Sequence, residues 1–197
     1  MINIPVTVPA SATSNQTFAR FRWSTEKGLN SKDIAPDGEI EDYAVTINSL
    51  PSFKAKKDVT VWDPSSIGLY ALPGNDVIYT IIATNAGPGM ADPDTMELID
   101  AMPSEVEFYN GDIDDGGPET DPVSFVQSSG AGLTFNYAGD VAYSNSAAPP
   151  ANFSACSYAP SAGYDPNVTF ICFNPKGTLI TGSPSPTFEV SFRARIK

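Results

Sequence analysis

Histidine is absent from the chain of 197 residues. Its absence removes the usual general base, the usual activator of a nucleophile and the commonest zinc ligand together. Cysteine is nearly absent too, with two residues, so a four-ligand zinc site would have to draw on carboxylates. Charge is scarce and one-sided: 17% of residues are charged, 11 basic against 23 acidic, for a net charge of −12. Such a surface repels nucleic acid and anionic headgroups and favours divalent cations or basic partners. No stretch approaches the roughly 20 apolar residues needed to span a bilayer, so membrane insertion is not expected. Met1-Ile-Asn-Ile-Pro-Val lacks the basic and apolar regions of a secretory leader. Either a leader has been removed and the chain starts inside a longer protein, or export uses another signal.

What is present is strand grammar. Hydrophobic residues make up 41%, enough for a core, and the 18 prolines and 15 glycines are scattered at turns. The clearest stretch runs from Pro73 to Gly89, opened by Pro-Gly and closed by Asn-Ala-Gly-Pro-Gly. Val77, Tyr79, Ile81 and Ala83 fall on one face and Thr80 and Thr84 on the other, with Ile78 and Ile82 making the second face partly apolar. That pattern predicts a central strand covered on most of its surface. The last segment, 187–197, alternates Phe188, Val190, Phe192, Ala194 and Ile196 with Glu189, Ser191, Arg193, Arg195 and Lys197. Further strands are predicted over 2–8, 17–24 (Ala19, Phe21 and Trp23 inward), 43–47 (Tyr43, Val45 and Ile47 inward), 57–62, 94–99, 105–108, 123–126, 133–137, 152–158 and 168–173. Turn signals about every ten residues, with no long amphipathic helix, indicate an all-β, mostly antiparallel sandwich or barrel. Leu50-Pro51-Ser52 is the predicted boundary between a β segment over 1–50 and a sandwich domain over 54–197.

Two resemblances attach to particular residues. Phe18-Ala-Arg-Phe-Arg-Trp-Ser-Thr25, followed by Ala35-Pro-Asp-Gly-Glu-Ile-Glu-Asp-Tyr43, resembles the second half of a GEVED domain, a module of large bacterial secreted and surface proteins. Ile40 stands where the module's name motif has valine, and the module's usual first half is missing. Residues 54–197 resemble the conserved-repeat family called domain of unknown function eleven, through Lys57-Asp-Val59, Pro73-Gly-Asn-Asp-Val-Ile-Tyr-Thr-Ile81, Thr84-Asn-Ala-Gly-Pro-Gly89 and Ile99-Asp-Ala-Met-Pro103. That resemblance implies an Ig-like β-sandwich of bacterial cell-surface proteins, without a catalytic role.

Candidate sites are few. Cys156 and Cys172 flank a turn near Tyr164-Asp-Pro166; if 152–158 and 168–173 pair as a hairpin, the cysteines fall opposite one another and can bridge. The alternative is two buried thiols. Asn110, Asp112 and Asp114 start like an EF-hand loop, but Asp115 stands where glycine is required and Asp121 where a bidentate glutamate belongs, so only a non-EF calcium loop remains open. Asp37, Glu39, Glu41 and Asp42 gather four carboxylates in six residues, which calcium or Arg20, Arg22 and Lys32 would neutralise. Paired carboxylates could also suggest a glycosidase, but no aromatic-lined cleft or catalytic motif supports one. The expected function is therefore non-enzymatic: an extracellular structural or adhesive β module, working through self-association, neighbouring repeats or strand complementation into filaments. The alternative is a calcium-dependent module that binds a glycan or another surface ligand.

Overall fold

A computed structural model describes residues 4–9, 12–30 and 32–197. The chain forms two compact units, Met1–Ser49 and Leu50–Lys197.

The first unit is built on two antiparallel strands, β1 (Gln16–Trp23) and β2 (Glu39–Thr46), in register from Gln16 opposite Thr46 to Trp23 opposite Glu39. The strand expected over 2–8 does not form in its described part: residues 4–9 carry no strand, and residues 2 and 3 lie outside the described residues. Pro5 and Pro9 each lack the backbone donor that a ladder needs. The inward-facing assignments of this unit also need correction. Phe21, Trp23, Tyr43 and Val45 are all exposed, Trp23 by 79%. The alternation makes two faces, but neither face is buried.

The second unit contains β3 (Phe53–Val61), β4 (Asp76–Asn85), β5 (Leu98–Ala101), β6 (Val106–Asn110), β7 (Val123–Gln127) and β8 (Leu133–Thr134). A one-turn helix α1 (Tyr137–Asp140) follows, then β9 (Val141–Ser144), β10 (Gly163–Asp165), β11 (Phe170–Phe173), β12 (Lys176–Gly177) and β13 (Thr187–Ile196). One sheet runs β10-β6-β13-β4-β3, with β7 also pairing β13; β5-β11-β9 and β12-β8 make the others. Side chains from these sheets meet in one core, so the fold is an all-β sandwich. No helix among the described residues is long and apolar enough to cross a membrane.

The two segments with the clearest alternation take the centre. β13 pairs with β4 on one side and with β6 and β7 on the other. Its Phe188, Val190, Phe192 and Ala194 are buried, as are Val77, Ile81 and Ala83 of β4. Phe192 stacks on Tyr79 at 5.4 Å between ring centroids and lies 6.3 Å from Phe108, geometry in which aromatic pairs add to simple burial.

The opposite face of the central strands carries a buried ion cluster at one end. Asp76 receives hydrogen bonds from Arg193 Nε (2.6 Å), Arg195 Nε (2.9 Å) and Tyr164 Oη (2.6 Å). Arg193 itself lies between the rings of Trp62 (4.9 Å) and Tyr109 (4.5 Å), which replace solvent around the guanidinium. Burial acts to raise the Asp76 pKa, but the bonds from Tyr164, Arg195 and Arg193 outweigh it and hold the carboxyl below its ordinary value.

The cysteines are joined, Cys156 to Cys172, though not across the expected hairpin. β11 already has both edges occupied, by β5 and by β9. Residues 153–155 instead turn as a 3-10 helix, because the Asn152 side chain accepts the Ala155 N–H and caps it. The disulfide therefore ties a surface turn to a central strand of the smaller sheet.

Candidate functional site

The motif residues of the first unit explain the shape of its ribbon. Gly38 has φ of +99°, and a Cβ there would sit 1.7 Å from the Trp23 carbonyl oxygen, so only glycine lets the chain enter β2 against the end of β1. Asp37 fixes that entry: its carboxylate accepts Ser24 Oγ (3.0 Å), the Thr25 N–H (3.0 Å) and Thr25 Oγ1 (2.6 Å). These bonds, led by the Thr25 hydroxyl, hold Asp37 below the usual carboxylate range. In the middle of the ribbon Arg20 grips Asp42 with two parallel bonds, Nε and Nη2 to the two carboxylate oxygens, both 2.7 Å. On the other face Tyr43 meets Phe21 edge-on at 5.6 Å. The Tyr43 hydroxyl donates to Glu41, a bond that raises the tyrosine pKa.

The four clustered acids thus have divergent tasks. Asp37 caps a turn, Asp42 is claimed by arginine on one face, and Glu39 and Glu41 lie on the other. Asp112 and Asp114 turn inward on their own loop. Asp112 accepts the N–H groups of Asp114, Asp115 and Gly116, and Asp114 those of Gly117 and Glu119. Asn110 leaves the loop and donates to the Pro160 and Ser161 carbonyls. Among the described residues no group of three or more acids and cysteines is arranged to hold a metal ion.

What the ribbon offers is edges and apolar surface. Among the described residues neither outer edge of β1 or β2 is paired, and every residue of β2 is exposed. Ala19, Phe21 and Trp23 share one face with Tyr43 and Val45, while Phe18 and Ile40 flank the Arg20–Asp42 pair on the other. Free backbone groups beside exposed aromatic side chains are the elements of strand addition. Alternation in the sequence supplied both faces; what it could not supply was whether anything covers them.

The sandwich carries a separate concavity of about 500 Å³, lined by Glu119, Asp121, Phe125, Phe135 and Tyr137 among others. Much of its polar lining is already engaged. Gln127 bonds the backbone of Leu133 through both ends of its amide, Asn136 caps α1, and Tyr137 bonds Tyr143. Phe125 and Phe135 stack on each other at 4.6 Å, which uses a face of each ring.

Residues 2–46 match the family model described as the GEVED domain. No curated protein matches the chain, and no solved structure does.

Proposed function

We propose that this chain is a non-catalytic structural module of a bacterial surface protein that joins copies of itself by adding strands to the β1–β2 ribbon. The observation that carries the reading is the ribbon: two strands whose outer edges are open among the described residues, with Trp23 79% exposed and Phe18 68% exposed. A two-stranded ribbon by itself is marginal in water, and a third strand would supply the missing pairing and cover its aromatic side chains. The GEVED match over 2–46 and the Cys156–Cys172 disulfide support an extracellular, oxidising setting. The all-β sandwich supports reading 54–197 as an Ig-like repeat of the kind its sequence resembles.

Negative-stain electron microscopy with light scattering of the purified protein tests this. Elongated oligomers or fibres support it, as does their loss in a Phe21→Ser/Trp23→Ser variant. Monodisperse single particles at every concentration and salt overturn it.

A further inference from the structure

We infer that the contact between copies is specific: the acidic edge strand β2 of one copy pairs with the basic edge strand β3 of another. The inference rests on the self-assembly reading and names its two surfaces. β3 ends its sheet and pairs with β4 on one side. It is nine residues long, and among the described residues its second edge is open.

Charge is sharply segregated between the two open edges. β3 bears Lys54 and Lys56 on one face and Lys57 on the other, and after Lys57 the chain has no lysine or arginine until Lys176. β2 bears Glu39 and Glu41 on one face. Lys57 is not available to a partner, because it points the other way and binds Asp100 Oδ2 at 2.6 Å. Lys54 and Glu39 form no ion pair among the described residues, and Lys56 leans on Asp58 in an exposed contact that exchanges at little cost.

Like edges repel in this arrangement. β2 against β2 sets carboxylate opposite carboxylate, and β3 against β3 sets Lys54 opposite Lys56 unless it slides to bring Lys56 to Asp58; β2 against β3 matches both lysines with carboxylates at once. Lysines on an edge strand commonly discourage association, and here they discourage the homotypic pairing while leaving the acidic one open. The spacing fits in either orientation. Antiparallel pairing puts Glu39 by Lys56 and Glu41 by Lys54, parallel pairing puts Glu39 by Lys54 and Glu41 by Lys56, and both put Ile40 opposite Ala55. The β2 edge and the β3 edge are different surfaces, so the contact leaves one of each unused and can propagate head to tail.

Charge exchange tests the pairing. Lys54→Glu/Lys56→Glu and, separately, Glu39→Lys/Glu41→Lys each turn two attractions into repulsions, and should weaken association by roughly tenfold or more at low salt. Mixing the two variants, or combining all four changes in one chain, should restore assembly. As a second readout, an Ile40→Cys chain mixed with an Ala55→Cys chain should give a disulfide-linked heterodimer on oxidation. Circular dichroism confirms that each variant is folded; if a charge variant is not, the cysteine pair decides. Assembly by wild type that both charge variants share undiminished, or variants that fail to rescue each other, overturns the β2–β3 pairing and leaves the ribbon reading standing. So does absence of the Ile40–Ala55 crosslink from assembled material. A wild type that never assembles overturns both.

Discussion

Replacing Asp76 by asparagine tests how the sandwich is held together. Asp76 is 5% exposed, and Arg193, 8% exposed, faces it with a charge that Trp62 and Tyr109 shield from water. Asp76→Asn keeps the volume but leaves that guanidinium without a counter-ion, and also weakens the bonds from Arg195 and Tyr164. Breaking a buried pair on one side costs about 3–5 kcal/mol, against a total of about 5–15 kcal/mol for a whole domain. At about 2–4 °C per kcal/mol for a unit of this size, the melting temperature should fall by about 6–20 °C. Urea unfolding followed through Trp62 in a Trp23→Phe background measures the change. The pH dependence has a definite sign. The Asp76 pKa is depressed in the folded state, so its contribution is complete above the unfolded value of about 3.9 and is lost as pH falls through the folded one. The difference between wild type and Asp76→Asn should therefore shrink on acidification below about pH 4. A variant within about 0.5 kcal/mol of wild type at pH 7, the scatter expected of an ordinary surface change, would refute the argument.

Three further outcomes follow from separate sites. Gly38→Ala should disorder the ribbon and abolish assembly while the melting of the sandwich stays in place, since its Cβ collides with the Trp23 carbonyl; unchanged assembly would contradict this. Reducing Cys156–Cys172, which closes a loop with a sequence separation of 16, should lower stability by about 3 kcal/mol, read as a shift in the urea midpoint with and without reductant. Lys57→Met strips the cation from Asp100, whose pKa burial already raises despite that lysine. A carboxyl with a raised folded pKa costs stability as pH climbs from its unfolded value of about 3.9 through the folded one, so the variant should lose ground to wild type as pH rises above about 4; parallel pH profiles would count against the Lys57–Asp100 link.

How far the sequence could be read depends on what each pattern encodes. β4 and β13 were legible because alternation and flanking turn residues both point to strands buried on at least one face. β9 and β10 were not: four and three residues are too few to show a period, and they exist because β11 and β6 present edges to pair with. For the cysteines a disulfide and two buried thiols both stay open in the sequence, and the hairpin that would have opposed them does not form, since a single asparagine cap turns 153–155 into a 3-10 helix. Arg193 alternates outward as predicted yet is buried, because Trp62 and Tyr109, distant in sequence, close over it. In the ribbon, Phe21, Trp23 and Tyr43 have the period of a buried face and are exposed. Periodicity reports that a face is apolar and is silent on what covers it, and that gap is where the proposed function lies.

Strand addition has a direct signature in backbone amides. Hydrogen–deuterium exchange over Glu39–Thr46 and Phe53–Val61, compared between dilute and concentrated wild-type protein, reads whether those edges become paired. The account predicts that both segments gain protection with concentration while the core amides of β13 do not change. Exchange in β2 and β3 that is independent of concentration would contradict it.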